Sequence, residues 1–269
     1  MPFRTNTVAK LSHGGLLFGA TALVMSTSSV ARAEDPTSLI QKTVAQYSQA
    51  KAYQAVLKIT QTGKDQAGKP GEVVSNQRVI FKAPNFFYFE TKASGKGAAS
   101  DAAKGNSIMV SDGKTLYQYL PAMKQYVKQA APPTFSMLQI VSKLLPSTDN
   151  FVPDGTTMGN VGGQPATVIK MKAIMPNNIP ANITSDQKKR LEQLVKTSKP
   201  VILSLSKTNH ILRIERLLDG GKLDIVFTGE TFAPNIAMSI FKFTPPAGAK
   251  EYVQPAGGAP PQQPGIRRP

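Results

Sequence analysis

The side chain best suited to act as a general base near neutral pH is His210, because the only other histidine lies in the apolar N-terminal region. A serine nucleophile would have to use His210, and the chain has no G-x-S-x-G segment of the kind that presents such a serine. The chain has no cysteine, which excludes a thiolate nucleophile and a thiolate metal site. A lone histidine beside a turn is usually a surface residue. We therefore predict no catalytic residue, no metal site and no cofactor.

The acidic side chains are few and dispersed. Asp112 and Asp219 are explained by predicted turns, whereas Glu215, Asp224 and Glu230 lie in a predicted group of strands. A glycosidase-type pair of carboxylates stays formally open, because its members can be distant in sequence. No glycine-rich phosphate loop occurs. The pattern predicts a protein that is not an enzyme.

The chain is strongly basic, with 32 lysines and arginines against 16 acidic residues. Three basic residues precede residue 34, so 29 remain beyond it against the same 16 acidic residues, a balance of +13. Such a balance favours anionic partners, for which lipid head groups are a plausible choice. The lysines are scattered, however, and a scattered distribution favours an ordinary solvated surface over a binding site for such partners. The chain lacks the stripe of arginine and aromatic residues that is typical of nucleic-acid binding, so we do not expect a nucleic-acid partner.

The first 33 residues have the pattern of a cleaved secretory signal. Arg4 and Lys10 precede an apolar segment at 16–25, and small residues at 31–33 provide an A-x-A cleavage pattern. The apolar segment is shorter than the roughly 20 residues that span a bilayer. The predicted mature chain begins at Glu34 and, without a cysteine, has no site for an N-terminal lipid anchor.

Beyond the signal we expect one domain over residues 34–253, since β-rich domains often reach about 200–250 residues. Residues 254–269 are rich in proline, glycine and glutamine, a composition typical of a disordered tail.

Residues 107–128 read as three consecutive strands joined by tight turns. Ile108 begins a short apolar run, Asp112 and Gly113 fit a two-residue hairpin turn, and Thr115 begins the returning strand. Pro121 then interrupts the pairing, because proline has no N–H to donate. A meander of this kind predicts an antiparallel sheet with one buried face.

The same reasoning predicts about eleven strands and two or three helices, without βαβ alternation. We expect further strands at 53–62, 73–82, 86–89, 166–173, 201–206, 210–217, 223–230 and 236–243. We expect helices at 35–50, at 134–145 and inside an insertion at 175–199. Residues 92–106 and 150–163 are predicted to be loops.

Four aromatic residues in succession fix the environment of one strand. Phe87 and Phe89 point to one face and Phe86 and Tyr88 to the other, so both faces must be covered there. Two arrangements stay open on the buried face. The helices fill it as an ordinary core, or they lie across it as a lid over an apolar cavity that accepts acyl chains.

Several motifs together resemble the periplasmic outer-membrane lipoprotein carrier family (LolA-type). They are Lys-Ala-Pro-Asn-Phe-Phe at 82–87, Val-Ser-Asp-Gly-Lys-Thr-Leu-Tyr at 110–117, Tyr-Leu-Pro at 119–121 and Phe-Lys-Phe-Thr-Pro-Pro-Ala-Gly at 241–248. Their order and spacing follow that family from about residue 37 to residue 253, with insertions at 92–106 and 175–199.

The resemblance implies a mainly β (α+β) fold, an unclosed antiparallel β-barrel of about eleven strands with helices capping its mouth. It implies a periplasmic, monomeric carrier that shields acyl chains of lipoproteins or free lipids, between an inner-membrane donor and an outer-membrane acceptor. The residues expected to line the lipid-binding cavity are Leu57, Ile59, Phe87, Phe89, Phe135, Leu138 and Val141.

One position departs from the family. The well-studied carriers have an arginine before the proline that fastens the closed lid, and this chain has Ala83. The hydrogen bonds that close the lid must therefore be absent or come from elsewhere. The same fold also resembles periplasmic regulators, so a module that senses envelope state and binds a membrane protein partner is the alternative function.

Overall fold

The computed structural model describes residues 34–64, 68–97, 105–176, 178–179, 182–218 and 220–253. The predicted signal segment and the predicted tail lie outside these residues. The helices are α1 (Pro36–Gln49), α2 (Met137–Leu144) and α3 (Ser185–Thr197). The strands are β1 (Ala52–Lys64), β2 (Pro70–Lys82), β3 (Phe86–Gly97), β4 (Ser107–Asp112), β5 (Thr115–Leu120), β6 (Gln125–Ala130), β7 (Phe151–Val161), β8 (Gln164–Ala173), β9 (Val201–Leu205), β10 (Ile211–Leu218), β11 (Gly221–Phe232) and β12 (Lys250–Glu251).

All twelve strands form one sheet in the order β12-β6-β5-β4-β3-β2-β1-β11-β10-β9-β8-β7. Every neighbouring pair is antiparallel except β12 and β6. Strands β12 and β7 end the order without pairing to each other, so the sheet is unclosed. The predicted fold class is confirmed, with twelve strands where about eleven were expected.

The predicted central meander is confirmed as β4, β5 and β6, but its first turn differs in detail. Ser111 and Leu116 form the last pair, and of the two predicted turn residues only Gly113 has a positive φ, +88°. Asp112 instead accepts hydrogen bonds at Oδ1 from the backbone N–H groups of Lys114 (2.8 Å) and Thr115 (2.7 Å). This side-chain turn replaces the left-handed backbone that was expected of Asp112.

The aromatic run in β3 is covered on both faces, as predicted. Phe87 is 2% exposed and contacts Phe135 on the face where α1 and α2 pack, which we call the helix-covered face. On the outer face Phe86 packs against the buried Phe241, with ring centroids 5.6 Å apart. Phe241 belongs to residues 236–243, which were predicted to be the last strand. They instead form a 3₁₀ turn (Met238–Phe241) that covers the outer face.

Two predicted loops are partly or wholly strand. Residues 92–97 continue β3, because they pair with the extended β2 up to Gly71 and Gly97. Residues 150–163 contain β7, an edge strand held by its ladder to β8. Most of its residues are exposed, including Met158 at 71%. A strand that buries neither face shows no alternation in sequence, so its pairing decides its structure.

The helices begin where their capping residues predict. Asp35 caps α1 and Pro36 occupies its first turn. Ser136 caps α2 through a capping box with Gln139, so the helix begins after Phe135 rather than at residue 134. Helix α3, predicted inside the insertion, has no buried residue, and Leu194 of its apolar stripe is 63% exposed.

Candidate functional site

Four aromatic side chains fill the helix-covered face in front of α2. This aromatic cluster consists of Phe81 on β2, Phe87 and Phe89 on β3, and Phe135, which precedes α2. The Phe135 ring centroid lies 4.6 Å from that of Phe87, 5.9 Å from that of Phe81 and 6.1 Å from that of Phe89. Phe81 and Phe87 are almost inaccessible to solvent, whereas Phe135 is half-buried. Phe135 therefore covers the other three rings on the side toward α2.

The remaining residues that the sequence assigns to the cavity lie next to this cluster. Leu57 and Val141 are 2% and 1% exposed, and Ile59 packs against the same core at the less covered end of β1. Leu138 is only half-buried, and it lines a pocket together with Ile40 and Val44 of α1. The structure thus brings all seven residues onto one face, with Leu138 at the edge of an open pocket.

A pocket of about 420 Å³ opens between α1 and α2. Its apolar lining comes from both helices, the end of α2 and the buried Met171 of β8. The lining residues are Ile40, Val44, Ser136, Leu138, Gln139, Ser142, Leu145, Pro146, Ser147, Thr148 and Met171. A volume of this size falls in the range of about 300–1,000 Å³ that is typical of ligand pockets. The pocket therefore provides a route from the surface toward the core beneath α2.

Helix α2 is held by hydrogen bonds near both ends, to the turn between β2 and β3 and to strand β10. At its start, the backbone N–H of Phe135 donates to the Pro84 carbonyl (2.9 Å), and Asn85 Nδ2 donates to the Pro132 carbonyl (2.9 Å). At its end, Nη2 of Arg216 on β10 donates to the Leu144 carbonyl (2.6 Å). These contacts fasten α2 in a chain that has Ala83, not an arginine, before Pro84.

Helix α1 is held by a buried polar network that the sequence did not reveal. The Tyr47 hydroxyl donates to Glu230 Oε1 and accepts from the backbone N–H of Ile211 (3.4 Å), and the Tyr53 hydroxyl also donates to Glu230 Oε1 (2.7 Å). His210 Nδ1 lies 3.4 Å from Glu230 Oε2, an atom with no hydrogen-bond partner among the described residues. The network joins α1 to β1, β10 and β11.

Burial sets the charge state of this network. It raises the pKa of Glu230 above its usual value, against the opposing effect of the two tyrosine hydrogen bonds. Burial likewise lowers the pKa of His210 and raises the pKa values of Tyr47 and Tyr53. Neutral forms of all four side chains are therefore favoured. Within the described residues, no three His, Asp or Glu side chains come together as they would to hold a metal ion.

We expect this network to make stability depend on pH. Because the folded state holds the Glu230 proton more tightly than the unfolded chain, its contribution is complete below the unfolded pKa and is lost as pH rises through the folded pKa. The lowered pKa of His210 has the opposite effect on stability. Its contribution is present above about pH 6.5 and is lost as the pH falls.

Glu230→Gln keeps an acceptor for both tyrosines and removes the titrating carboxyl. In urea unfolding at about pH 5 and about pH 8, the variant should gain stability relative to the wild type as pH rises. A difference in unfolding free energy that is equal at both pH values would contradict the assignment.

Sequence reasoning missed three residues of this region. Met137 is 1% exposed and shares the buried stripe of α2 with Val141 and Leu145, at i, i+4 and i+8. The spacing of Met137 and Val141 was a usable signal. Glu230 gave no signal, because its partners Tyr47 and Tyr53 are 183 and 177 residues away. Arg216 lies two residues after the apolar Ile214 and therefore on the same face of β10. This alternation was a usable signal for the position of Arg216 on the covered face.

The family model described as "Predicted periplasmic protein (DUF2092)" matches residues 37–252, and the chain belongs to this family. The family's own description thus gives the periplasm as the expected location. None of the curated proteins matches the chain in sequence. Among the described residues, no helix is both long and apolar enough to cross a membrane.

Several solved structures are similar to this chain at low identity. An uncharacterized conserved protein of Thermus thermophilus has 12% identity and a TM-score of 0.43, covering 80% of this chain and 97% of that chain. A LolA superfamily protein of Nitrosomonas europaea has 12% identity and a TM-score of 0.30, covering 78% and 99%. A chain of the MucA/MucB complex of Pseudomonas aeruginosa has 12% identity and a TM-score of 0.35, covering 84% and 66%. No function follows from these similarities.

Proposed function

We propose that this chain is a periplasmic carrier that binds the acyl chains of lipids or lipoproteins between its sheet and helices α1 and α2, without catalysis. In this proposal residues 34–253 form the working unit, residues 1–33 are removed on export and residues 254–269 are a tail. The observation that carries the proposal is the apolar pocket between the two helices, which reaches Met171 in the core.

The proposed binding space extends from the pocket under α2 toward the aromatic cluster. An acyl chain that enters beside Leu138 meets Val141 and Phe135 on the lid side and Phe87, Phe89, Leu57 and Ile59 on the sheet side. Transfer of each methylene from water contributes about 0.8 kcal/mol, so a long chain gains several kcal/mol. Outward movement of α2 would enlarge the space, and it requires the hydrogen bonds at the ends of α2 to break.

The test uses the mature chain exported to a periplasm and purified without detergent. We expect mass spectrometry of an organic extract to find bound lipid. We also expect a fluorescent fatty acid to bind the delipidated protein. Absence of both would contradict the proposal. Recovery of a stable protein partner, with no effect of lipid on the complex, would favour the regulatory alternative.

A variant of the pocket wall makes the test specific. Leu138→Trp should fill the pocket and weaken binding of the fluorescent fatty acid by roughly tenfold, because the loss of two buried methylenes corresponds to about 1.6 kcal/mol. Leu194→Trp on the exposed stripe of α3 is the matched control and should leave the affinity unchanged. Equal affinities of the two variants would show that the pocket is not the entrance.

A further inference from the structure

Arg216 is a cation on the helix-covered face that has no carboxylate partner. It follows the buried Ile214 at strand parity and pairs with Val201 and Leu223 on the neighbouring strands. No carboxylate of the described residues lies within ion-pairing distance of its guanidinium. The nearby Glu215 lies on the opposite face of β10, where Arg213 binds it at 2.8 Å.

Only some of the hydrogen-bond donors of the Arg216 guanidinium have an acceptor among the described residues. Its Nη2 donates to the carbonyl of Leu144, the last residue of α2, where the helix dipole favours a positive charge. Its Nε is buried and has no hydrogen-bond partner among the described residues. A carbonyl offsets less of a buried charge than a carboxylate does, and a charged donor left without an acceptor is costly. Burial accordingly lowers the pKa of Arg216.

The position of Arg216 relates it directly to the pocket. Met171, Val201 and Arg216 are in register on β8, β9 and β10, so Arg216 lies two strands, about 10 Å, from the pocket floor. On the helix side, Leu145 of the pocket wall follows Leu144, whose carbonyl Arg216 binds. Arg216 itself is half-buried, which places it where the covered face meets solvent.

We propose that Arg216 binds the acidic group of an anionic amphiphile, a carboxylate or a phosphate, while the acyl chain lies in the pocket beneath α2. The inference rests on the proposed acyl-binding function and narrows the cargo to lipids with a negative charge next to the chain. Guanidinium suits either acid, because its planar set of donors matches two oxygens at once. The bound acid would give Nε the acceptor that it lacks.

The experiment compares a charged and a neutral probe of equal chain length on the delipidated mature protein. cis-Parinaric acid should bind at least about tenfold more tightly than its methyl ester. Arg216→Leu should reduce the ratio of acid affinity to ester affinity to about one, whatever the loss of the contact to α2 does to both probes, and Arg216→Lys should retain part of the difference. Arg78→Leu, at an exposed position on β2, is the control for loss of one charge. Competition by lysophosphatidate and by a fatty acid of equal chain length then tells a phosphate from a carboxylate preference, with a neutral monoacylglycerol as the uncharged control.

The outcomes separate this inference from the proposed function. Equal binding of acid and ester to the wild type would overturn the role of Arg216 and leave acyl binding intact. Binding of neither would contradict acyl binding itself. An equal loss of both probes in Arg216→Leu would mean that the side chain only holds α2. Should that variant not fold, the wild-type ratio and Arg216→Lys decide.

Discussion

Phe87→Glu is expected to lower the free energy of unfolding by about 3–5 kcal/mol, the cost of an uncompensated charge in a protein interior. Phe87 is 2% exposed, and its ring lies 4.6 Å from Phe135 and 5.3 Å from Phe89. No water reaches the new carboxylate in this packing, and none of the three neighbouring rings of the aromatic cluster offers it a hydrogen-bond donor. Urea unfolding followed by circular dichroism measures the change.

Ser94→Glu is the matched control for this variant. It adds the same charge to the same strand at an exposed position on the outer face, and should change stability by no more than about 0.5 kcal/mol. A similarly small effect of Phe87→Glu would mean that the space beside Phe87 is open to water. Such a result would favour a cavity that is open without a ligand over the closed packing described above.

The parts of the fold that the sequence predicted correctly are those in which local chemistry and burial agree. Asp35, Pro36 and the capping box of Thr184 with Gln187 located helices α1 and α3, because capping depends on neighbours in sequence. The parity of Phe86 and Phe87 required cover on both faces of β3, and both are covered.

The parts that were predicted wrongly depend on partners that are distant or weakly marked. Strand β7 contains Pro153 and two glycines and exposes most of its residues, so only its pairing with β8 defines it. Residues 236–243 are apolar like a strand, yet Phe241 serves to cover the outer face from a 3₁₀ turn.

The residues of the candidate site also fall into those that the sequence could identify and those that it could not. The aromatic side chains were identifiable because they are consecutive and apolar. The polar residues that hold the two helices were not, because Glu230 and Arg216 act on groups 72 or more residues away. Arg216, which binds the carbonyl at the end of α2 from β10, could be located only in three dimensions. Long-range hydrogen bonds leave little trace in a single sequence.

Phe135→Ala is expected to destabilise the protein by about 2–4 kcal/mol and to increase its affinity for acyl chains. The stability loss follows from removing a half-buried ring that contacts Phe81, Phe87 and Phe89. The gain follows from the same change, because the space left by the ring is apolar and borders the proposed path beneath α2. A chain that fills it recovers contacts that the variant has lost.

Phe86→Ala separates the two effects. It removes a half-buried ring from the same strand on the outer face, where the ring packs against Phe241, so it should lose stability without gaining affinity. Titration with a fluorescent fatty acid, combined with urea unfolding of both variants, measures the two quantities. If Phe135→Ala loses stability and binds no more tightly, the space under α2 collapses when it is emptied, and the aromatic cluster serves only as core. If it gains affinity, the Phe135 ring occupies the space that an acyl chain fills when it binds. The closed packing of this structure is then the lipid-free state of a carrier.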